Sequence, residues 1–195
     1  MTYAATVTLP LTRPRTYDGR VREPVSDEAL ARRAAAGETD AFEELVRRHQ
    51  DMLYTLALRV TLSEQDARDC VQDGLIAAWR SIGRFRGDAR VSTWLYRIVL
   101  RKAYDVLDRR RRTAEPTDQL DLTAAAERPA DDRLDIIAAL GSLDPDFRAA
   151  VVACDIIGLS MDDAAAVLEV PPGTVRSRLS RGRDRLAALL EANRA

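Results

Sequence analysis

Arginine and small hydroxyl side chains near the end of this chain are spaced as in a helix that binds nucleic acid. The apolar residues of the stretch form one helical stripe, namely Val175, Leu179, Leu186 and Leu190, with Gly182 among them. The opposite face carries Thr174, Ser177, Ser180 and Arg181, flanked by Arg176, Arg178 and Arg185. Arginine pairs with guanine edges or phosphates, and a helix fits the DNA major groove. The pattern therefore predicts a DNA-reading helix, and a basic solvated helix closing an α-helical domain is the alternative.

A shorter helix is predicted immediately before the basic one. Ser160 has the type of an N-cap, and Asp163 follows three residues later as in a capping box, so we expect a helix over 161–168. A Pro-Pro-Gly break at 171–173 then separates it from the basic helix, which begins near Thr174. Two short helices joined in this way predict a helix-turn-helix.

Another predicted helix, from Ser63 to about Ile82, carries an apolar residue on its polar face. The candidate contact residues on that face are Asp69, Gln72, Asp73 and Ile76. A single exposed isoleucine is common in proteins. Beside a Gln–Asp pair, however, it favours a docking surface for another protein.

A basic loop at 83–91 precedes a long predicted helix, which Ser92 caps and which runs from Thr93 to about Arg111. The candidate DNA contacts here are Arg84, Phe85, Arg86, Arg90, Tyr96, Arg97, Arg101, Lys102 and Arg109. Cationic grooves hold phosphates and aromatic rings stack on unpaired bases, so the segment fits single-stranded DNA. A solvated charge run explains it equally well. Trp94 lies on the apolar stripe and is interpreted as core, whereas Tyr96 and Phe85 are better-exposed candidates for stacking.

The amino-acid composition indicates the fold class and the cellular compartment. Among 195 residues 31% are charged and 5% aromatic, and Ala, Leu and Arg are abundant, which predicts an all-α fold. Cys70 and Cys154 lie on apolar stripes in different halves, and His49 is the only histidine, so neither a disulfide nor a metal site is expected. The sequence shows neither a membrane-spanning run nor a signal peptide, and we expect a cytoplasmic protein without cofactor, small-molecule substrate or membrane insertion.

The predicted organisation is two small helical domains joined by a flexible acidic linker. Residues 1–25 contain three prolines and no sustained period, which predicts a disordered tail. A first domain follows over 26–112, where Ser26 caps the first helix and Asp40 begins the second. Residues 113–131 form the linker, and 132–195 form the helix-turn-helix domain.

Four motifs in this order resemble sigma-70-family RNA polymerase sigma factors of the extracytoplasmic-function group. They are DAF at 40–42, DARDCVQD at 66–73, STWLYRI at 92–98 and GTVRSRL at 173–179. The resemblance spans about residues 27–190. It implies a non-enzymatic initiation factor with bacterial core RNA polymerase and promoter DNA as partners, commonly held inactive by an anti-sigma factor.

The resemblance also assigns roles to the segments already singled out. It implies that the face around Gln72 and Asp73 docks on the polymerase clamp, which gives the exposed Ile76 a reason. It implies that the 83–91 loop and the following helix recognise and melt the −10 element. It also implies that the helix-turn-helix reads the −35 element and that the acidic linker occupies the polymerase's RNA channel.

Three positions depart from the family pattern. Arg101 stands where the family often has Asn, Asp108 where it often has Arg, and Glu169 where a turn glycine is usual. A left-handed backbone at Glu169 costs about 1 kcal/mol. The alternative function is a stand-alone helix-turn-helix regulator, which leaves residues 27–112 without a role.

Overall fold

The computed structural model describes residues 25–113 and 132–192, and within these ranges every regular element is a helix, which confirms the all-α prediction. In chain order the helices are α1 (Asp27–Ala35), α2 (Thr39–Thr61), α3 (Glu64–Ser81), α4 (Val91–Thr113), α5 (Asp132–Gly141), α6 (Pro145–Val151), α7 (Met161–Leu168) and α8 (Pro172–Ala192). A short 3-10 turn, Ile82–Arg84, follows α3, and a π-helical turn, Val152–Ile156, continues α6. The predicted tail and linker fall almost wholly outside the described residues.

Helices α1 to α4 pack around one apolar core. Its fully buried side chains include Leu45, Leu53, Leu56, Val60, Val99 and Leu100. Gly74 lies where α3 crosses α4, and a Cβ there would come within 2.7 Å of Val99 Cγ2. Because glycine has no side chain, the two helix backbones approach closely and hold α3 rigidly beside α4.

The predicted caps were right where a hydroxyl directly precedes the helix. The hydroxyl oxygens of Ser26 and Ser63 accept hydrogen bonds from Ala29 N at 3.2 Å and Asp66 N at 3.3 Å. Two starts were wrong. Helix α4 begins at Val91, so Ser92 lies in its first turn. Helix α2 begins before Asp40, because the chain reverses at Gly37 with φ of +97° and Glu38 takes the cap position.

Helices α5 to α8 form a second packed group ending in the helix-turn-helix. Asp144 caps α6 by accepting from Asp146 N at 3.0 Å, and Pro145 takes the first helical position, where a missing N–H is tolerated. Gly182 lets α8 lie against α6, since a Cβ there would come within 2.6 Å of Val151 Cγ2. Val175 and Leu179 are buried on the same side of α8, as the sequence stripe predicts.

The two helix groups contact each other through a buried arginine that the sequence did not reveal. Only 5% of Arg148 is exposed, and burial lowers the pKa of its guanidinium. Its donors reach the carbonyl oxygens of Leu140, Gly141 and Leu143 in its own group at 2.8, 3.0 and 2.9 Å. A fourth bond reaches Val60 O at the end of α2, at 2.9 Å. One cation therefore links the C-terminal ends of α2 and α5, where the helix dipole favours positive charge.

Candidate nucleic-acid interface

The basic face of α8 is exposed to solvent, because the apolar stripe on the opposite face packs in the core. Five of the six predicted −35 residues lie on this face and form no ion pair among the described residues. They are Thr174, Arg176, Ser177, Ser180 and Arg181. All of these except Thr174, which is half-buried, are exposed. Ser177 Oγ donates to Thr174 O at 2.9 Å, which holds that side chain against the first turn. The front of α8 therefore offers two arginines and a hydroxyl row to a ligand.

Arg178 is the sixth predicted residue, and its surroundings differ. Its guanidinium is half-buried and forms an ion pair with Asp146 of α6. Farther along α8, Arg183 pairs with Asp155 in the same way, and Arg185 lies 4.7 Å from the Phe147 ring centroid, over its face. These three cations hold α8 on α6, whereas Arg176 and Arg181 point away from it.

The turn between α7 and α8 contains Glu169, which has the left-handed backbone expected at the position of a turn glycine. Glu169 has φ of 54° and ψ of 40°, in the left-handed region. At the other end of α7, Ser160 Oγ accepts from Asp163 N at 3.1 Å and donates to Asp163 Oδ2 at 2.7 Å. The predicted N-cap is therefore present, with the Asp163 carboxylate accepting from the Ser160 hydroxyl, and α7 is bounded by residues that the sequence identified.

A second basic surface lies on the 83–90 loop and the exposed side of α4. Its exposed members are Arg84, Arg86, Arg90, Arg97, Arg101 and Arg109, and Lys102 is half-buried. Phe85 is half-buried and its ring centroid lies 5.2 Å from that of Trp94. The aromatic pair thus anchors the loop to the start of α4 and positions its arginines beside the helix.

Tyr96 does not lie on this surface. It was expected to be exposed, but only 6% of it is, and burial raises the pKa of its hydroxyl. The expectation was wrong because α4 is buried on a wide arc that includes the neighbouring Leu95 and Val99. Trp94 is buried, as the apolar stripe predicted.

One arginine of this basic surface contacts the turn of the helix-turn-helix. Arg101 Nη2 donates to Glu169 Oε2 at 3.0 Å, so two residues that depart from the family pattern contact each other. Nearer the start of α4, buried Thr93 donates from Oγ1 to Asp163 Oδ1 at 3.1 Å. The sequence had indicated each residue separately, but not that they meet.

Another bond joins the two helix groups near the middle of α4. Tyr104 is half-buried and donates to Asp146 Oδ1 at 3.3 Å. Asp146 also holds Arg178, so its carboxylate connects α4 to α8 through α6. Burial and this carboxylate raise the pKa of the Tyr104 hydroxyl.

The α3 surface is exposed at every predicted position. Asp69, Gln72, Asp73 and Ile76 all face solvent, and Ile76 is 41% exposed. Sequence reasoning missed Trp79, which is 39% exposed on the same stripe, three residues beyond Ile76. The spacing of Gln72, Ile76 and Trp79 was the signal that could have revealed it.

Trp79 extends this surface into a groove on α2. Its ring centroid lies 5.0 Å from that of Phe42. The groove has a volume of about 480 Å³ and is lined by Thr39, Phe42, Glu43, Val46, Arg47, Gln50 and Trp79. An exposed tryptophan beside an isoleucine is typical of the centre of a protein interface.

The two cysteines are free thiols of low reactivity. Burial raises the pKa of the Cys70 thiol to about 11 and raises that of Cys154, so neither is a reactive thiolate near pH 7. In the described part of the chain, no group of three or more potential ligands could hold a metal ion. Nor does any described helix combine the length and apolar character needed to cross a membrane.

Comparison with known proteins assigns both helix groups. The family model for sigma-70 region 2 matches residues 45–113, and that for sigma-70 region 4 matches residues 133–186. The ECF RNA polymerase sigma factor SigM of Mycobacterium tuberculosis is 43% identical over 172 residues, or 87% of each chain. RNA polymerase sigma factor CnrH of Cupriavidus metallidurans is 36% identical over 86% of this chain and 96% of its own.

Solved structures agree with the sequence comparison. CnrH in complex with the cytosolic domain of CnrY superposes with a TM-score of 0.68 at 35% identity, over 85% of this chain and 97% of that one. The sigma factor RpoE with the anti-sigma factor NepR, from Bartonella quintana, gives 0.65 at 28% identity, over 77% and 96%. The chain therefore belongs to the extracytoplasmic-function group of the sigma-70 family of RNA polymerase sigma factors.

Proposed function

We propose that this sigma factor binds core RNA polymerase through α3 and reads a promoter at two places, with α8 on the −35 element and the 83–90 loop and α4 on the −10 element. The observation that carries the proposal is that one chain presents three separate exposed surfaces, two basic and one apolar-polar, on its two sigma regions. A stand-alone helix-turn-helix regulator has no use for the α3 surface or for the α4 surface.

At the −35 element, α8 inserts its front face into the major groove. Arg176 and Arg181 are the candidates for guanine edges or phosphates, because they are exposed and aimed away from α6. Thr174, Ser177 and Ser180 supply hydroxyls for phosphate or base contacts. Arg178 contributes mainly by fixing α8 through Asp146, so its part in DNA contact is indirect.

At the −10 element, the exposed arginines near the start of α4 hold the phosphates of an unwound strand. Opening a duplex costs a few kcal/mol for each base taken out of the stack, so a base must be held elsewhere. Phe85 is the aromatic candidate for that contact, since it is a half-buried residue of the loop while Tyr96 is buried. The cationic residues of the loop and of α4 are Arg84, Arg86, Arg90, Arg97, Arg101, Lys102 and Arg109.

The α3 surface docks on the polymerase. Ile76 and Trp79 provide an apolar centre, and Asp69, Gln72 and Asp73 provide a polar rim. This combination is the arrangement that protein interfaces use, with buried apolar anchors surrounded by polar groups. The groove beside Trp79 gives a partner side chain a place to insert.

The wider role follows from this assignment. The domain boundaries that fit it are 26–112 and 132–195, joined by residues 113–131. The protein has no catalytic activity of its own and acts in the cytoplasm, where polymerase and promoter are. An anti-sigma factor controls it, by analogy with the relative RpoE, which was solved with the anti-sigma factor NepR.

Transcription with purified components tests the proposal. Promoters are selected from random DNA with core polymerase plus this protein, and transcription is then measured with and without it. We expect initiation that depends on the protein and requires two sequence blocks. Independence from the protein would contradict the proposal. Gel filtration separates the alternative, because a stand-alone regulator does not co-elute with core polymerase.

A further inference from the structure

We propose that Gly83 and Gly173 are points where the protein main chain touches the phosphate backbone of the promoter, the first on the −10 surface and the second on the −35 surface. The inference rests on the proposed function and deepens it, because it adds two positioning residues to surfaces described so far by their arginines. The group that each glycine admits is a DNA phosphate.

Most glycines of the described chain are required by the protein's own structure. Gly37, Gly87 and Gly158 have φ of +97°, +79° and +78°, a conformation that residues with a side chain rarely adopt. Gly74 and Gly182 lie where two helices cross, and a Cβ at either position would collide with a valine side chain. A side chain at any of these five positions would strain the backbone or the packing.

Gly83 and Gly173 have neither of these reasons. Both have φ outside the left-handed region, and a Cβ built on either meets no atom of the described chain within 4 Å. Both residues are exposed. Glycine at a helical position is less stable than alanine, because it loses more backbone freedom on folding. A missing side chain is useful at such a position where another molecule approaches the main chain closely.

Gly173 lies in line with the residues that face the −35 element. Residues three, four, seven and eight positions apart share one face of a helix, and from Gly173 these are Arg176, Ser177, Ser180 and Arg181. All four are exposed. The glycine is therefore the first member of the reading stripe of α8. Without a side chain there, the duplex can approach until a phosphate touches the main chain, which brings the arginines to the base edges.

Gly83 has the corresponding place on the −10 surface. It lies in the 3-10 turn Ile82–Arg84, directly before the first arginine of the loop. Ile82 is buried, and its carbonyl oxygen accepts from Phe85 N at 3.0 Å, so the turn is anchored from below. Gly83 and Arg84 are exposed above it. The turn therefore presents bare main chain beside a cation, and one phosphate can contact both.

Promoter binding by holoenzymes with a single added methyl group tests the inference. We expect Gly173→Ala and Gly83→Ala each to bind the selected promoter about tenfold more weakly than the parent, because overpacking a close contact has an effect of this size. Gly173→Leu should bind more weakly still. Urea unfolding should show both alanine variants to be at least as stable as the parent, since neither Cβ meets another atom.

Gly141→Ala is the matched control. Gly141 also has φ outside the left-handed region, and a Cβ there would touch only Leu62 Cδ1, at an ordinary contact distance of 3.4 Å. It closes α5 and belongs to neither DNA surface. Its holoenzyme should bind the promoter as tightly as the parent does.

Promoters with single phosphates replaced by uncharged methylphosphonates show whether the lost contact is a phosphate. The parent holoenzyme and Gly141→Ala should lose affinity at particular positions of both blocks. Gly173→Ala should become insensitive at a position in the −35 block, and Gly83→Ala at a position in the −10 block, because the contact is already lost. Parental affinity in both glycine variants, or an unchanged response to every phosphate, would overturn the inference.

Failure of the proposed function has a different signature. If Arg176→Ala and Arg181→Ala bind the promoter as tightly as the parent, α8 does not read the −35 element, and the proposed function is contradicted together with the role of Gly173. If these arginine variants bind weakly while both glycine variants bind like the parent, only the role of the glycines is overturned.

Discussion

Arg148 forms hydrogen bonds that join helices of both groups. It has no carboxylate partner among the described residues, and four backbone carbonyls surround it instead. Its charge is buried at the ends of two helices, where unpaired carbonyl groups concentrate. The residue therefore acts as a shared C-terminal cap for α2 and α5.

Replacing Arg148 should be among the most damaging single changes in the chain. In Arg148→Met the apolar stem remains, but four carbonyl oxygens lose the hydrogen bond from the guanidinium, and we expect a loss of about 3 kcal/mol or more in the free energy of unfolding. Urea unfolding measures it. Arg183→Met is the control, because it removes only an exposed ion pair and should cost at most about 1 kcal/mol. Equal effects in both would show that the buried contacts contribute little.

The arginines of α8 should separate into contact and support residues. Arg176→Ala and Arg181→Ala should each weaken binding to −35 DNA by about 1–3 kcal/mol if the lost contact is a bidentate base pair. The fold should be unaffected, since both side chains are exposed. Fluorescence anisotropy with the holoenzyme measures the affinity. Arg183→Ala, on the same helix but paired with Asp155, is the control, and equal losses at all three positions would contradict the assignment.

At the scale of elements, glycines set how closely the helices approach. Gly74 and Gly182 sit at the α3–α4 and α6–α8 contacts, where a Cβ would collide with valine side chains. Both glycines lie within apolar stripes of the sequence. Such a stripe predicts which face of the helix is buried, but it does not predict that a residue without a side chain is required there. That requirement comes from the partner helix.

Gly182→Ala should therefore be destabilising even though alanine favours helices. The added Cβ meets Val151 Cγ2 at 2.6 Å and Phe147 O at 3.2 Å, and overpacking of this kind costs about 1–3 kcal/mol. Helix propensity returns about 1 kcal/mol at most. Thermal unfolding measures the net loss. Gly173→Ala on the same helix meets nothing within 4 Å and should be neutral or slightly stabilising; the reverse order of the two variants would refute the packing argument.

The exposed stripe of α3 should behave as one docking element. Ile76→Ser, Trp79→Ala and the pair Gln72→Ala with Asp73→Ala should weaken binding to core polymerase, each by about 1 kcal/mol or more, because apolar anchors dominate interfaces. Unfolding curves of Ile76→Ser and of the Gln72–Asp73 pair should stay close to those of the parent, whereas Trp79→Ala also loses its packing on Phe42. Glu28→Ala, an exposed acidic residue on α1, is the control for lost charge. Unchanged polymerase affinity in the stripe variants would remove α3 from the interface.

At the scale of the whole molecule, local signals were predictable and distant pairings were not. Ser160 and Asp163 gave the start of α7 because an N-cap acts within one turn. The apolar stripe of α8 likewise placed Val175 and Leu179 in the core. In contrast, Arg148 contacts Val60 from 88 positions away, and no periodicity encodes such a pair.

The same limit explains the errors in the candidate sites. Tyr96 was expected at the surface because α4 was interpreted as packed on one side only. In the folded molecule α7 of the second helix group also packs on α4, so less of the α4 surface is exposed. Trp79 was missed because its stripe was interpreted without its neighbour Phe42 on α2. Exposure depends on what the rest of the chain covers, and that becomes visible only in the folded molecule.

The division of promoter recognition between the two groups is the central claim, and transcription with matched promoter variants tests it most directly. Holoenzymes with Arg181→Ala in α8 or with Arg86→Ala and Arg90→Ala in the loop are compared on promoters mutated in one block at a time. We predict that the α8 variant becomes insensitive to changes in the upstream block only. The loop variant should become insensitive to changes in the downstream block only. If both variants lose sensitivity to the same block, or to neither, the division is wrong.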